Sequence, residues 1–300
     1  MRTISLGPSG IEVGAIAYGC WRFAGSTVAD AQAKIETALD AGMTLIDTAD
    51  IYGLDTPDGF GAAEDLLGRV LQRSPELRDQ MVLATKGGII PPAPYNASYD
   101  YLTEAINASL RRLGVDQVDL YQIHRPDLLA PVPETARALN DIMAAGKARA
   151  IGVSNFTVSQ CRALAAHLDV PLATSQPEFS VLHQDPMTDG TLDWCGETGA
   201  SCLAWSPLAG GRAATGMMTP DADDQVSRVI AVLDHLAETH DVTRTQVALA
   251  FVLGQPSNVI PIVGTQKPER IKEAAAAAAI QLTRREWYDI VEAYRGAPMP

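Results

Sequence analysis

Eight short apolar runs alternate with amphipathic helical stretches along the 300 residues, and this alternation predicts an α/β protein. The expected architecture is a closed (β/α)8 barrel of the TIM type, preceded by a short N-terminal β-hairpin. A repeated strand, helix and strand implies parallel pairing. Eight such units in a chain of 300 residues fit a closed barrel better than an open doubly wound sheet. No linker rich in Pro, Gly or Ser divides the chain, so we expect one domain over residues 1 to 300.

The expected elements can be read in order along the chain, starting with a hairpin over residues 3 to 13. The eight barrel strands are expected at residues 14 to 19, 43 to 47, 81 to 86, 118 to 124, 148 to 154, 171 to 176, 201 to 206 and 258 to 264. Among the helices, residues 28 to 42 carry an apolar stripe, and another helix begins at a Ser98 cap and stops at Gly114. The alanine run Ala274 to Ala279 falls where an outer helix is due.

The charge and the composition exclude several classes of partner. A formal net charge of -13 argues against nucleic acid or an anionic membrane surface, since both require clustered Lys and Arg. The N-terminus has no apolar signal region, and no stretch approaches the roughly 18 apolar residues of a membrane span. We therefore expect a cytoplasmic protein, a monomer by default with weak self-association allowed. The four cysteines show no spacing typical of a zinc site or a disulfide framework.

Four side chains able to act on a carbonyl group fall at or just after the ends of consecutive expected strands. The second strand ends at Asp47 and leads to Tyr52, the third ends at Lys86, and the fourth ends at His124. The carboxyl ends of barrel strands meet at one mouth, so these side chains should converge there. Each residue alone has an ordinary structural explanation, as a cap, a surface lysine, a structural histidine or a packing tyrosine. Four of them at successive strand ends favour a catalytic site.

The chemistry of this group follows from the ionisation of tyrosine. A tyrosine hydroxyl has an ordinary pKa near 10, and a nearby ammonium group stabilises the phenolate and lowers that pKa. We therefore predict that Asp47 holds Lys86 and that Lys86 tunes Tyr52. His124 would orient a carbonyl oxygen beside the hydroxyl group. The set contains no obvious nucleophile or metal cage, so it favours proton donation to a carbonyl while another molecule supplies a hydride.

The motifs around these residues resemble the aldo-keto reductases, which are NAD(P)H-dependent enzymes built on an eight-stranded α/β barrel. D-T-A-x-x-Y-G spans Asp47 to Gly53, A-T-K spans Ala84 to Lys86, and D-x-Y-x-x-H spans Asp119 to His124. The later motifs, in family order, are G-V-S-N-F at 152 to 156, Gln176, W-S-P-L at 205 to 208, and V-G-T followed by Arg270. Each string alone is weak, but the ordered set over nearly the whole chain is highly specific.

The resemblance implies that Tyr52 is the general acid in reduction, supported by Asp47, Lys86 and His124. We call these four residues the tetrad. It also implies a set of cofactor-binding residues. Those near the nicotinamide would be Gly19, Trp21, Ser154, Asn155, Gln176 and Trp205. Those whose backbone approaches the pyrophosphate would be Ser206, Leu208 and Gly210. Gly264 leads into the residues that align with the region gripping the adenosine 2'-phosphate, namely Thr265, Gln266, Lys267 and Arg270.

A grip on the 2'-phosphate favours NADPH, with NADH possible, because Arg can clamp a phosphate with two donors and Lys can supply a point charge. One departure concerns the adenine. Family members often read R-x-x-E-N where Arg270 to Ala274 reads R-I-K-E-A. The substrate, a small aldehyde, ketone or sugar, depends on the loops around Trp21, residues 54 to 60 and residues 209 to 225.

The sequence allows three other functions to be compared with a reductase. The same site run backwards would be an NAD(P)-dependent alcohol or sugar dehydrogenase. A barrel that only bound NADPH could act as a redox-sensing module, although such a module would not need the tetrad. A metal-dependent hydrolase using His124 and Asp127 fails on ligand count, since the chain has five histidines and no H-x-H, and no metal is expected. Asp50 and Glu64 receive no functional role: Asp50 would cap or bond locally, and Glu64 would belong to the first turn of the next helix.

Overall fold

The computed structural model describes residues 1 to 216 and 224 to 300. Its strands are β1 (Thr3–Ser5), β2 (Glu12–Gly14), β3 (Ala17–Gly19), β4 (Leu45–Asp47), β5 (Val82–Gly87), β6 (Val118–Ile123), β7 (Ala148–Ser154), β8 (Thr174–Gln176), β9 (Ser201–Ala204) and β10 (Val259–Val263). Its helices are α1 (Val28–Asp40), α2 (Ala62–Arg73), α3 (Tyr99–Leu113), α4 (Val132–Ala144), α5 (Val158–Ala165), α6 (Thr191–Thr198), α7 (Arg212–Thr215), α8 (Asp224–His240), α9 (Arg244–Leu253), α10 (Pro268–Ala276) and α11 (Arg284–Arg295).

The eight strands β3 to β10 form a closed barrel in which neighbours pair in parallel and β10 closes the ring by pairing with both β9 and β3. β1 and β2 form a separate antiparallel hairpin. The predicted barrel and hairpin are therefore confirmed. The barrel strands are mostly shorter than the apolar runs. β8 begins at Thr174 rather than at Pro171, and proline lacks the N–H group that a paired strand residue donates.

The hairpin closes the amino-terminal end of the barrel. Its apolar side chains Leu6, Ile11 and Val13 are buried in one cluster with residues from the lower part of the lumen. Those lumen residues are Ala17, Leu45, Ala84, Leu120, Ala150, Ala173, Leu203, Ile260 and Ile262. The turn between the two strands fits tightly, because a Cβ atom at Gly7 would lie 2.2 Å from the backbone oxygen of Ala173. The bottom of the barrel is therefore apolar and filled.

The helix ends follow the local sequence signals. The hydroxyl of Ser98 accepts a hydrogen bond from the backbone N–H of Tyr101 at the start of α3, and Gly114 ends the helix in the left-handed region at φ 67°. Both ends match the prediction. The alanine run extends α10 through a 3-10 turn to Ala279. Within the described part of the chain, no helix combines the length and the hydropathy of a membrane span.

Candidate active site

The structure brings the four tetrad side chains together at the carboxyl end of the barrel. Lys86 is fully buried in β5, and its Nζ donates hydrogen bonds to Asp47 Oδ2 at 2.5 Å and to the backbone oxygen of Thr48 at 2.8 Å. Asp47, the last residue of β4, is only 2% exposed. A buried charge pair of this kind depends on both partners, since removing one leaves the other charged and desolvated.

Tyr52 and His124 complete the group. The Lys86 ammonium nitrogen lies 5.1 Å from the centroid of the Tyr52 ring. The His124 ring meets the Tyr52 ring edge to face, with the centroids 5.6 Å apart. His124 follows the end of β6, and its backbone N–H donates to the oxygen of Gly87 at 2.8 Å. Tyr52 lies in the turn after β4, so three consecutive strands supply the four side chains.

The pKa of Tyr52 is raised, whereas the sequence predicted that it would be lowered. Burial raises the pKa of Tyr52 above its ordinary value, and the Lys86 ammonium opposes that rise without reversing it. Burial alone would lower the pKa of Lys86, but Asp47 and Tyr52 outweigh burial and raise it. The predicted influence of Lys86 on Tyr52 is present, but desolvation is the larger effect. At neutral pH the site therefore holds an ammonium group beside a neutral phenol, which is the form able to donate a proton.

His124 is neutral in this environment. Burial lowers the pKa of His124 well below its ordinary value, and the positive charges of Lys86 and Arg125 add to the effect. The ring nitrogen Nδ1 is buried and has no hydrogen-bond partner among the described residues. A neutral imidazole beside Tyr52 can hold a carbonyl oxygen by hydrogen bonding without competing with the tyrosine as an acid.

A polar network in the lumen joins Asp47 to residues on β6 and β8. The second carboxylate oxygen, Oδ1, accepts hydrogen bonds from Gln122 Nε2 at 3.3 Å and from Gln176 Nε2 at 3.1 Å. Thr174 Oγ1 donates to Gln122 Oε1 at 3.1 Å. Neither Gln122 nor Thr174 was predicted from the sequence as part of the site. A signal was available, because Gln122 precedes His124 by two residues and strand side chains alternate between the lumen and the helices.

A series of hydrogen bonds runs along the mouth and links Gln176, Ser154, Asn155 and Trp205. Ser154 Oγ donates to the backbone oxygen of Gln176 at 2.9 Å, and Asn155 Nδ2 donates to Ser154 Oγ at 2.8 Å. Trp205 Nε1 donates to Asn155 Oδ1 at 3.0 Å. Asn155 has φ 59°, a left-handed conformation that asparagine tolerates. The side-chain amide of Gln176 bonds to Asp47 in this arrangement, so its expected contact with the nicotinamide remains a prediction.

The loop after β9 contains several residues in the left-handed conformation. Ser206, Ala209 and Gly210 have φ values of 49°, 50° and 68°. A Cβ atom built at Gly210 would meet no atom within 4 Å, so the backbone there faces open space. Leu208 has φ -110° and the next residue, Ala209, has φ 50°, and a right-handed residue followed by a left-handed one turns successive backbone N–H groups towards one point, where an anion can bind. The segment 209 to 225, expected to shape the mouth, is described up to Gly216 and from Asp224, and residues 217 to 223 lie outside the described residues.

The residues between β10 and α10 lie next to the end of β3. Gly264, Thr265 and Gln266 are half-buried, whereas Lys267 and Arg270 are exposed. Within the described residues, neither Lys267 nor Arg270 forms an ion pair.

Gly19 and Trp21 lie on the β3 side of the mouth. A Cβ atom at Gly19 would come within 2.8 Å of Ile262 Cγ2, so the chain has no room for a larger residue there. Trp21 is 62% exposed, with the Arg22 guanidinium 5.3 Å from the centre of its ring.

A second buried polar cluster lies behind the tetrad, between the barrel and the helices. Glu64 is fully buried, and its carboxylate accepts bonds from Arg112 Nε at 2.7 Å and from Thr85 Oγ1. Asp50 is 1% exposed. Its Oδ2 accepts a bond from Tyr101 Oη at 3.3 Å, and its Oδ1 has no partner among the described residues. Burial raises the pKa of Asp50 to about 8, and Glu64 adds to the rise.

The expectations for these two acids were incomplete. Glu64 does belong to the first turn of α2, but it points inward to an arginine on α3 instead of facing solvent. Asp50 forms the expected local bond, to the backbone of Ile51, but it is buried and also reaches Tyr101 on α3. Both side chains were missed because their partners lie about 50 residues away in sequence, on a helix whose packing cannot be read from local spacing.

A family model described as the Aldo/keto reductase family matches residues 15 to 295. The chain belongs to the aldo-keto reductase family. It is 48% identical over 297 residues to a 6-dehydroglucose reductase from Novosphingobium aromaticivorans, covering 98% of this chain and 96% of that protein. It is 38% identical over 292 residues to a 6-dehydroglucose reductase from Agrobacterium fabrum, covering 93% and 94%. A crystal structure of a thermostable aldo-keto reductase with the inhibitor epalrestat gives a TM-score of 0.83 at 28% identity, covering 98% of this chain and all of that one.

These matches confirm the resemblance drawn from the motifs and the barrel predicted from the alternation of strands and helices. The chain is an oxidoreductase enzyme, and the activity of its family is reduction of carbonyl groups with a nicotinamide cofactor.

Proposed function

We propose that this aldo-keto reductase reduces the aldehyde group of a sugar, with NADPH as the hydride donor and Tyr52 as the proton donor. The observation that carries the proposal is the fully buried Lys86, held between Asp47 and the ring of Tyr52. In the reaction the carbonyl carbon gains a hydride and the oxygen gains a proton, so an aldehyde becomes a primary alcohol.

Each tetrad residue has a physical task in that reaction. Tyr52 enters as a neutral phenol because burial raises its pKa, so its proton is available at neutral pH. When the proton leaves, the phenolate lies next to Lys86, whose charge offsets the cost of a buried anion. Asp47 fixes the ammonium group in place. His124, neutral and edge-on to Tyr52, would hold the carbonyl oxygen within reach of the hydroxyl group.

Two regions of the mouth fit a dinucleotide. The loop from Ser206 to Gly210 would turn backbone N–H groups towards the pyrophosphate at its left-handed residues, and Asn155 with its neighbours would hold the nicotinamide. Lys267 and Arg270, which have no ion-pair partner among the described residues, are suited to the adenosine 2'-phosphate, which supports NADPH over NADH. Bound NADPH would supply the hydride, and the protein side chains supply binding, orientation and the proton.

Two observations support a sugar aldehyde as the substrate: the names of two similar proteins and an exposed aromatic side chain at the mouth of the barrel. The two relatives named 6-dehydroglucose reductase cover nearly the whole chain. The exposed indole of Trp21 offers a flat apolar face at the mouth, and such a face suits the C–H side of a sugar ring. We therefore propose 6-dehydroglucose, or a closely similar sugar aldehyde, as the substrate.

We also propose that residues 1 to 300 form one domain, and that the enzyme works as a monomer in the cytoplasm. The barrel supports the first point, because its strands come from positions throughout the chain and close into one ring.

The test combines cofactor binding with turnover. Purified protein is titrated with NADPH and NADH by nicotinamide fluorescence. The saturated complex then receives 6-dehydroglucose and a panel of simple aldehydes, with the absorbance of the reduced cofactor followed over time. Tyr52→Phe should lower turnover by roughly 10²- to 10⁴-fold while NADPH affinity is kept, since a positioned acid contributes about that much. Tyr294→Phe, on α11, is the matched control and should behave as wild type.

Near-normal turnover by Tyr52→Phe would contradict its role as the acid. Tight NADPH binding by the wild type without turnover of any aldehyde would contradict the reductase proposal. That result would favour a redox-sensing module or a dehydrogenase acting on an alcohol.

A further inference from the structure

Lys34 is a buried lysine whose hydrogen-bond partners are neutral. It lies on the inward face of α1 and is 7% exposed. Its Nζ donates to Ser26 Oγ at 2.8 Å and to Gln266 Oε1 at 2.9 Å, and it forms no ion pair within the described residues. Buried charges are normally paired, because an ammonium group loses much of its hydration energy on burial.

One acidic group acts on Lys34 through its charge, without forming an ion pair with it. Asp30 acts on Lys34 from one helical turn away, but its carboxylate accepts a bond from Thr27 Oγ1 at 2.7 Å. Burial lowers the pKa of Lys34, and the charge of Asp30 only partly opposes that change. The Lys34 ammonium also lies 5.9 Å from the centre of the Phe23 ring, so its surroundings are an aromatic ring and neutral hydrogen-bond partners.

Lys34 lies beneath the loop that joins β10 to α10. Gln266, which accepts the bond from Lys34, lies in the loop Gly264 to Lys267 between β10 and α10. Its amide nitrogen also donates to the backbone oxygen of Gly264 at 3.3 Å. From the barrel side, Tyr18 Oη donates to the backbone oxygen of Thr265 at 3.1 Å. Lys34 and Tyr18 therefore support the same loop from below.

The outer side of this loop is also positive. Lys267 and Arg270 are exposed, and within the described residues neither forms an ion pair. The nine-residue helix α10 begins here, and no side chain caps its first N–H groups. Three cations and an uncapped helix start thus surround one short loop, and all of them favour an anion there.

We propose that Lys34 is a positioning residue that determines cofactor specificity: it fixes the Gly264 to Lys267 loop through Gln266 and places a positive charge beneath it, so that the loop favours NADPH over NADH. This inference rests on the proposed function, NADPH-dependent reduction. The two cofactors differ by the 2'-phosphate alone, so a charge beneath the loop acts mainly on the phosphorylated one.

The test compares three variants with the wild type. Lys34→Met keeps the apolar stem and removes the charge, and Lys34→Arg keeps the charge. Lys147→Met removes one charge from the turn between α4 and β7 at the opposite end of the barrel. Dissociation constants for NADPH and NADH are measured by fluorescence at low and high NaCl, and circular dichroism checks that each variant is folded.

We expect Lys34→Met to weaken NADPH binding by roughly 10-fold and NADH binding by less than about 2-fold, the size expected for one partly buried charge several ångströms from a phosphate. Its NADPH affinity should also depend less steeply on salt. Lys34→Arg should recover most of the preference, and Lys147→Met should not change it.

The outcomes distinguish a failure of the proposed function from a failure of the proposed role of Lys34. If the wild type binds neither cofactor, the proposed function fails. If the wild type binds NADPH and Lys34→Met keeps the same ratio of the two dissociation constants, the proposed function stands and the role of Lys34 is overturned. Equal weakening of both cofactors by Lys34→Met also overturns it, because a purely structural role would act on both alike.

Discussion

The buried Asp50 provides a sharp test of the electrostatics behind the tetrad. Its side chain is surrounded by Glu64 on α2, Tyr101 and Arg112 on α3, and Tyr121 on β6. Burial and the charge of Glu64 raise the pKa of Asp50 from 3.8 to about 8. Asp50→Asn keeps the shape of the side chain and removes its ionisation, so comparing the two proteins isolates the effect of one proton.

The sign follows from proton linkage. An acid whose pKa is raised on folding keeps its proton in the native state after the unfolded chain has lost it. The contribution of Asp50 to stability therefore falls as the pH rises from its ordinary pKa of 3.8 and levels off above about 8. Each unit of pH in that window costs about 1.4 kcal/mol. Between about pH 5 and about pH 8 the loss reaches up to about 4 kcal/mol, which is large against a typical stability of roughly 5–15 kcal/mol.

Urea unfolding followed by circular dichroism measures this difference. We expect the wild type to lose more stability than Asp50→Asn between about pH 5 and about pH 8, by up to about 4 kcal/mol. Asp79→Asn, at an exposed carboxylate, serves as the control and should follow the wild type. Parallel pH profiles for the wild type and Asp50→Asn would show that Asp50 is already ionised in the folded protein, and would refute the reasoning.

Three further predictions follow from the contacts described. Lys86→Met should reduce carbonyl reduction by roughly 10²- to 10⁴-fold in steady-state assays while NADPH still binds; an effect on thermal stability alone would contradict the proposed tuning role. Changing Lys267 and Arg270 together to Ala should weaken NADPH much more than NADH in fluorescence titrations, and equal weakening would mean that neither touches the 2'-phosphate. Gly152→Ala would place a Cβ atom 2.0 Å from Thr174 Oγ1, so we expect a loss of about 1–3 kcal/mol in urea unfolding, and an unchanged stability would show that the lumen network relaxes freely.

The barrel could be predicted from the sequence because its signals are local. Apolar runs mark the strands, and the ends of those runs mark the mouth, so Asp47, Lys86 and His124 were expected near one another before any contact was known. The resemblance to the family then added the cofactor residues by position along the chain.

The residues that escaped prediction depend on packing between distant elements. Lys34 reads as an ordinary polar position in a helix, and only the approach of the loop at Gln266 shows that it points inward. Glu64 looks like a first-turn acid until α3 brings Arg112 to it. Gln122 lies within an apolar strand, where its amide becomes meaningful once β8 supplies Thr174. In each case the partner is at least 48 residues away, beyond the reach of any local pattern.

The hairpin closes the amino-terminal end of the barrel, so ligands can enter and leave the active site only at the carboxyl end of the strands. With Leu6, Ile11 and Val13 sealing the lower lumen, the substrate reaches Tyr52 from the mouth, where the cofactor would also lie. Because both molecules would enter through the same opening, the order of binding is fixed. The molecule that lies deeper in the barrel must bind first and dissociate last.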